Sequence, residues 1–190
     1  IWMKSEGRGP MAEPQAREPA LVITEQDHVQ GEAAAPFTLV EYGDFECPYT
    51  RAALKTVEAL QRDFGRELRF VFRHFPLAAK HPHALQAAEA AEAAAAQGQF
   101  WAMYAMLFAH QWELEYDDLL DYAGRIGLDR AQFGEALTTH RHFDRIRADV
   151  ASGRRHGVTG TPTFFVNGQR QDGDDDVRSL SVALRHALKR

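Results

Sequence analysis

The sequence predicts a mixed α/β fold in which an all-helical insertion separates the two halves of the core. The first part of the chain has a β-α-β order, the middle has no strand pattern, and the last part has a β-β-α order. With 190 residues, the chain can bury one large core but is short for two. We expect residues 21–81 and 157–190 to form the core and residues 82–156 to form the insertion. Residues 1–20 are expected to be a tail that is disordered or derived from cloning.

The β-α-β unit is predicted from apolar runs and helical spacing. Residues 37–42 are apolar and β-branched, as in a buried strand. Apolar positions at helical spacing then predict a helix that starts at Cys47 and ends near Gly65, with Pro48 in its first turn. A second strand is predicted at 68–75, so the two strands should be parallel with a right-handed crossover.

The rest of the chain is predicted from helix-forming composition and from turn residues. Five helices are expected in the insertion, at 84–96, 100–108, 116–126, 129–137 and 140–155. The β pattern then returns with a strand at 163–166, the turn pair Asn167-Gly168, a return strand at 169–171 and a last helix at 177–188.

Composition and charge limit the classes of partner that we expect. The net charge of −5 and the lack of a basic patch argue against nucleic acid. No apolar run approaches the roughly 20 residues that span a bilayer, so no membrane contact is expected. The single cysteine excludes an internal disulfide framework and favours a reducing cytosol. We therefore expect a cytoplasmic protein, although a signal peptide that had been removed would leave the same sequence. The oligomeric state is left open.

Two separate segments carry a family resemblance. Residues 40–49, Val-Glu-Tyr-Gly-Asp-Phe-Glu-Cys-Pro-Tyr, resemble the active-site strand and helix start of the DsbA-like thioredoxin-fold proteins. Residues 159–168, Thr-Gly-Thr-Pro-Thr-Phe-Phe-Val-Asn-Gly, resemble their cis-proline segment. The resemblance covers roughly residues 25–189, the insertion included. It implies a thioredoxin fold and a thiol-disulfide oxidoreductase acting on disulfide-containing proteins or small thiols.

Cys47 is the candidate nucleophile. A cysteine reacts as its thiolate, and a helix N-terminus stabilises negative charge through its free N–H groups and its dipole. Cys47 directly precedes Pro48 at such a terminus, which favours the thiolate. The alternative is a buried cysteine that only fills space.

Glu41 is the candidate proton carrier. Strand alternation with Leu39 suggests that Glu41 points inward beneath the helix, where burial raises the pKa of a carboxylic acid. It lies six residues before Cys47, the offset at which thioredoxin-like proteins keep an acid as a proton shuttle, so the resemblance implies that role. The alternative is a strand carboxylate that faces solvent.

The resemblance also implies a set of substrate contacts. Pro162 should be cis and should abut the reactive sulfur, and the backbone of Thr161 should bind an extended substrate. Pro48 and Tyr49, which follow Cys47, are assigned to the same surface. The alternative is an ordinary turn before the strand.

Thr50 is a departure from the family pattern Cys-x-x-Cys, because it stands where the second cysteine would be. No intramolecular disulfide can form, so an external thiol must resolve a mixed disulfide on Cys47. Glutathione or another low-molecular-weight thiol is the expected co-substrate, and no bound cofactor is expected. The Thr50 hydroxyl could hydrogen-bond the Cys47 thiolate. The sequence leaves open whether Thr50 is natural or a trapping substitution, and in which direction exchange runs.

No metal site is predicted. The pairs His81/His83 and His140/His142 lack both the i, i+4 spacing of helical zinc ligands and a clear acidic companion.

Three functions remain as hypotheses. The first is thiol-disulfide exchange through Cys47 alone, which predicts turnover that needs an added thiol. The second is a non-catalytic module that holds extended polypeptide, which predicts binding that survives Cys47→Ser. The third is a glutathione-dependent transferase or isomerase, supported by fold analogy alone.

Overall fold

A computed structural model describes residues 21–187 of the chain. Within that range the sheet has strands β1 (His28–Gln30), β2 (Phe37–Gly43), β3 (Leu68–His74), β4 (Thr163–Val166) and β5 (Gln169–Arg170). The helices are α1 (Pro48–Phe64), α2 (Ala84–Ala95), α3 (Phe100–Ala109), α4 (Tyr116–Arg125), α5 (Arg130–Thr138), α6 (Phe143–Arg155) and α7 (Val177–Ala187), with a 3₁₀ turn at Gly65–Glu67. The predicted tail, residues 1–20, lies outside the described residues.

The sheet has the order β1-β3-β2-β4-β5. Strands β2 and β3 are parallel, as the β-α-β pattern predicted, and β4 runs antiparallel to β2. Glu41, in the middle of β2, is therefore flanked by Phe72 on β3 and Phe164 on β4. The predicted mixed α/β fold, in which a helical segment separates the two halves of the core, is confirmed.

Two elements differ from the prediction. Strand β1 was not predicted, because His28–Gln30 is short and carries no apolar run. Helix α6 begins at Phe143 rather than at residue 140, since His140 has a φ of 50° and cannot continue a right-handed helix. The predicted hairpin at Asn167-Gly168 is present, and both residues have the positive φ (45° and 80°) that a type I′ turn requires.

The two faces of β2 are buried against different partners. Phe37 and Leu39 pack with Val57 and Leu60 of α1 in the larger apolar cluster. Val40 and Tyr42 pack in a smaller cluster on the opposite face. Glu41 has the same parity as Leu39, so it lies on the α1 face.

The helical insertion shares its core with the sheet. Phe70 and Phe72 of β3 belong to the same apolar cluster as Phe100, Met103 and Leu107 of α3. The sheet and the insertion thus bury one continuous surface, and the exact division at residues 81 and 157 stays a prediction. None of the described helices is both long and apolar enough to cross a membrane.

Candidate functional site

Cys47 is the residue that precedes the first turn of α1. Its backbone is extended (φ −77°, ψ 121°), and Pro48 follows in the first helical turn. The Cys47 carbonyl accepts the first helical hydrogen bond, from Arg51 N at 3.1 Å. The sulfur therefore lies at the end of α1 where backbone N–H groups lack helical partners and the dipole is positive. Only 2% of Cys47 is exposed, so neighbouring residues cover nearly all of it.

The Thr161–Pro162 segment lies against this sulfur. Cys47 Sγ donates a hydrogen bond to the Thr161 carbonyl oxygen at 3.4 Å, and the Thr161–Pro162 peptide bond is cis. The Thr161 hydroxyl is buried without a hydrogen-bond partner among residues 21–187. Two segments that are 114 residues apart in sequence thus meet at the thiol.

Thr50 fills the space between the end of β2 and the start of α1. It is completely buried, and its hydroxyl oxygen accepts a hydrogen bond from Asp44 N at 3.3 Å. A Cβ atom added to Gly43 would lie 2.4 Å from Phe72 Cε2 and 2.9 Å from Thr50 Cγ2, so these two side chains leave room only for glycine at the end of the strand. The hydroxyl donor role toward Cys47 stays a prediction.

Glu41 is completely buried, which excludes the solvent-facing alternative. Neither carboxylate oxygen has a hydrogen-bond partner among the described residues. Burial raises the pKa of Glu41 well above its usual value, and the negative charges of Asp175 and Cys47 raise it further. Glu41 thus holds a proton at a pH where exposed carboxylic acids have lost theirs.

Exposed apolar side chains lie on the segments that carry or contact Cys47. Pro48 and Tyr49 are exposed, and Tyr49 retains 74% of its accessible surface. Trp112, on the loop after α3, is equally exposed at 74%. Its neighbour Gln111 donates hydrogen bonds from Nε2 to the carbonyls of Phe45 and Cys47, at 2.8 and 2.9 Å. The insertion is therefore tied to the active-site segment by a buried amide that sequence reasoning missed.

Asp44 organises the loop before Cys47 and was also missed. Its carboxylate accepts hydrogen bonds from Glu46 N at 2.8 Å and from Leu77 N at 2.9 Å. His81 Nδ1 lies 2.7 Å from the same carboxylate. The signal in the sequence was the acidic residue directly after a buried strand, two residues before another acid.

His83 contacts the second acid of this loop. Glu46 accepts from His83 N at 2.6 Å and lies 3.1 Å from His83 Nδ1, while Glu115 lies 3.1 Å from Nε2. The hydrogen bond to Glu46, and to a smaller extent that to Glu115, raises the pKa of His83. The His81/His83 pair, considered above as metal ligands, therefore binds the carboxylates that frame Cys47. Likewise, His140 contacts Glu89.

Comparison with solved structures identifies the fold. BdbD from Bacillus subtilis superposes with a TM-score of 0.80 and 22% identity, over 87% of this chain and 95% of that one. A thioredoxin-like oxidoreductase from Silicibacter pomeroyi DSS-3 superposes with a TM-score of 0.78 and 28% identity, over 88% and 95%. Both matches include the sheet and the helical insertion.

Comparison with curated proteins finds a different kind of relative. The chain is 50% identical over 167 residues to a Na(+)/H(+) antiporter NhaA 1 of Salinispora arenicola, which covers 88% of this chain. The chain spans about a quarter of the length of the antiporters that it matches (26%).

The family model described as Thioredoxin matches residues 23–186, which include the Cys47 segment, the insertion and the cis-proline segment. The chain therefore belongs to the thioredoxin family and has the fold of its DsbA-like thiol-disulfide oxidoreductases.

Proposed function

We propose that this protein catalyses thiol-disulfide exchange through Cys47 alone. The Cys47 thiolate attacks one sulfur of a mixed disulfide between glutathione and another thiol, and that other thiol leaves with a proton. A second glutathione then attacks the glutathione sulfur held on Cys47. Glutathione disulfide is released, Cys47 returns to its reduced form, and the substrate mixed disulfide has been reduced at the expense of one glutathione thiol.

One observation carries the proposal. The Cys47 sulfur lies between the N-terminus of α1 and the carbonyl that precedes cis-Pro162, above a buried acid. The helix end favours the thiolate. The cis-proline segment offers backbone groups to an extended chain beside the sulfur. Since Cys47 is the chain's single cysteine, the resolving thiol must come from outside, as the thiol pool of a cytosol would provide.

Glu41 is proposed as the proton carrier for the leaving thiolate. Burial raises the pKa of Glu41, which favours its protonated form, and a protonated Glu41 can donate a proton when a thiolate leaves. Neither carboxylate oxygen has a hydrogen-bond partner among residues 21–187 that would compete for this proton.

The test is turnover of a small glutathione mixed disulfide with excess glutathione, measured for the wild type and for Cys47→Ser. Turnover by the wild type alone supports a monothiol catalyst. If neither turns over while Cys47 still takes up one glutathione by intact mass, the cycle is broken. A peptide-binding module then becomes the better description, with peptide affinity unchanged in Cys47→Ser.

The antiporter relatives favour a second proposal, in which this thioredoxin domain responds to redox state on behalf of a sodium–proton antiporter. It rests on the 50% identity over 88% of this chain. Purified chain would be added to vesicles that contain such an antiporter, and sodium-driven proton flux would be followed with a pH dye. A flux change that the wild type causes and Cys47→Ser does not would support coupling, and equal fluxes would overturn it.

A further inference from the structure

Three side chains from separate elements converge away from Cys47. Glu92 Oε1 lies 2.7 Å from His28 Nε2 and 2.8 Å from His74 Nε2. The three atoms all lie within 4.8 Å of one another. His28 comes from β1, His74 from the end of β3 and Glu92 from α2, so the group joins the sheet to the insertion.

The group is buried and rigid. The side chains of His74, Glu92 and His28 are 1%, 7% and 13% exposed. The His28 ring stacks on Phe100, with ring centroids 3.5 Å apart and planes 6° apart. The His74 ring packs edge-on against Phe72 at 5.7 Å, and its backbone N–H is bound by a carboxylate of α6. These contacts hold both imidazoles with Nε2 directed at one point.

Two imidazole nitrogens and one carboxylate oxygen are a donor set that suits late first-row divalent ions, zinc above all. Calcium and magnesium require mainly oxygen ligands. Zinc–ligand distances of about 2.0–2.2 Å place neighbouring ligand atoms roughly 3.3 Å apart in a tetrahedron. The two Glu92–imidazole distances are about 0.5 Å shorter than this, so the Glu92 oxygen would have to move outward from each imidazole when an ion binds.

We propose that His28, His74 and Glu92 bind a divalent transition-metal ion of the zinc class. The ion would bridge the sheet to the helical insertion and leave a fourth position for water. The site is independent of the Cys47 chemistry, although the His74 ring packs against Phe45, two residues before Cys47.

The proton balance sets the conditions for binding. Zinc binds an imidazole only through a nitrogen that carries no proton, so we expect zinc binding to weaken as the pH falls. With zinc on Nε2, the neutral His74 carries its proton on Nδ1, and that nitrogen is buried without a partner among residues 21–187. We therefore expect an affinity about 10–100-fold below that of sites whose outer hydrogen bonds are complete.

The experiment uses the full chain, with Cys47→Ser in every sample because a thiolate is itself a zinc ligand. Native mass spectrometry after addition of zinc chloride should show one retained zinc ion. Competition with a chromophoric chelator gives the affinity, and calcium or magnesium at the same concentration should not be retained. A protein that retains no zinc overturns the proposal.

The variants identify the ligands. His28→Gln and Glu92→Gln should each weaken zinc binding at least 10-fold. The matched control is Glu89→Gln, which alters a similarly buried glutamate that also contacts a histidine, His140, and should leave the affinity unchanged. If circular dichroism shows that Glu92→Gln does not fold, the zinc affinity of His28→Gln tests the proposal instead, because His28 lies on the partly exposed edge strand. Undiminished zinc affinity in His28→Gln overturns the proposal.

Discussion

The Sγ atom of Cys47 donates a hydrogen bond to the carbonyl oxygen of Thr161, 3.4 Å away. That bond exists only in the thiol, because a thiolate has no proton to donate. Deprotonation therefore breaks the contact and frees the Thr161 carbonyl to accept a hydrogen bond from the backbone of an incoming chain. In the proposed exchange, the nucleophile and the acceptor for the substrate backbone would thus become available in the same step.

A cysteine at position 50 should change how a mixed disulfide on Cys47 is resolved. Thr50 is buried one helical turn after Cys47, and threonine and cysteine are similar in volume. In Thr50→Cys we expect a disulfide to form under oxidising conditions, with loss of both free thiols. A mixed disulfide on Cys47 should then be released without added glutathione. Thiol counting by alkylation and mass spectrometry checks the first result, and single-turnover release of the substrate thiol checks the second.

Thr50→Ser is the matched control, since it changes the same position but cannot form a disulfide. Two thiols in Thr50→Cys that remain alkylatable after oxidation would show that the geometry at this helix start does not support the pair.

Glu41→Gln should alter the pH dependence of stability. Burial raises the pKa of Glu41 above its ordinary value of 4.5, so the folded chain binds this proton more tightly than the unfolded chain. The contribution of this proton to the free energy of unfolding is fully present below pH 4.5 and is lost as the pH rises toward the folded-state pKa. In urea unfolding from pH 5 to pH 9, the free energy of unfolding of the variant should rise relative to that of the wild type, by up to about 1.4 kcal/mol per pH unit.

Glu58→Gln, at an exposed position of α1, serves as the control and should follow the wild-type pH profile. A constant difference between Glu41→Gln and wild type across this range would mean that Glu41 ionises freely. The same variant should slow thiol exchange if Glu41 supplies a proton, and an unchanged rate would remove it from the mechanism.

Gln111→Ala should destabilise the protein and disturb the Cys47 loop. The amide donates two buried hydrogen bonds, and without it the Phe45 carbonyl loses its donor. We expect a loss of about 1–3 kcal/mol in the free energy of unfolding, measured in urea. Gln97→Ala also removes two hydrogen bonds, to Asp129, but at an exposed site, and should cost about 0.5 kcal/mol. Equal losses in the two variants would argue against a specific role for Gln111.

The raised pKa of His83 should depend on Glu46 more than on Glu115. In an NMR pH titration of the imidazole, Glu46→Gln should lower the pKa of His83 toward its ordinary value of 6.5. Glu115→Gln should lower it less, because Glu115 makes one hydrogen bond to His83 while Glu46 contacts both its ring and its backbone. Equal shifts would show that the Glu46 contact raises the pKa of His83 no more than the Glu115 contact does.

Local signals in the sequence accounted for most of the fold. The β2–α1–β3 unit follows from an apolar run, a helical stripe and a second run, and the structure places these elements within one or two residues of the prediction. Strand β1 had no such signal, since its three residues are half-buried and form a strand only because β3 offers them an edge. The start of α6 is set by the left-handed backbone conformation of His140, which helix propensity does not predict.

The site was predictable where neighbours in sequence are neighbours in space. Cys47, Thr50 and Glu41 belong to one strand and helix, so their burial and spacing follow from local periodicity. The contacts of Gln111 and of His83 with this segment depend on how the insertion packs, and no pattern within 82–156 encodes that. Long-range hydrogen bonds therefore had to come from the structure.

The order of strands in the sheet has a consequence for the newly made chain. Strand β2 completes its hydrogen bonding with β4, whose residues leave the ribosome more than a hundred positions after Cys47. Such distant pairings form slowly. Throughout that interval the cysteine lacks the carbonyl and proline that cover it in the finished protein. The Cys47 thiol of the nascent chain is therefore exposed, and oxidants reach it most easily before translation ends.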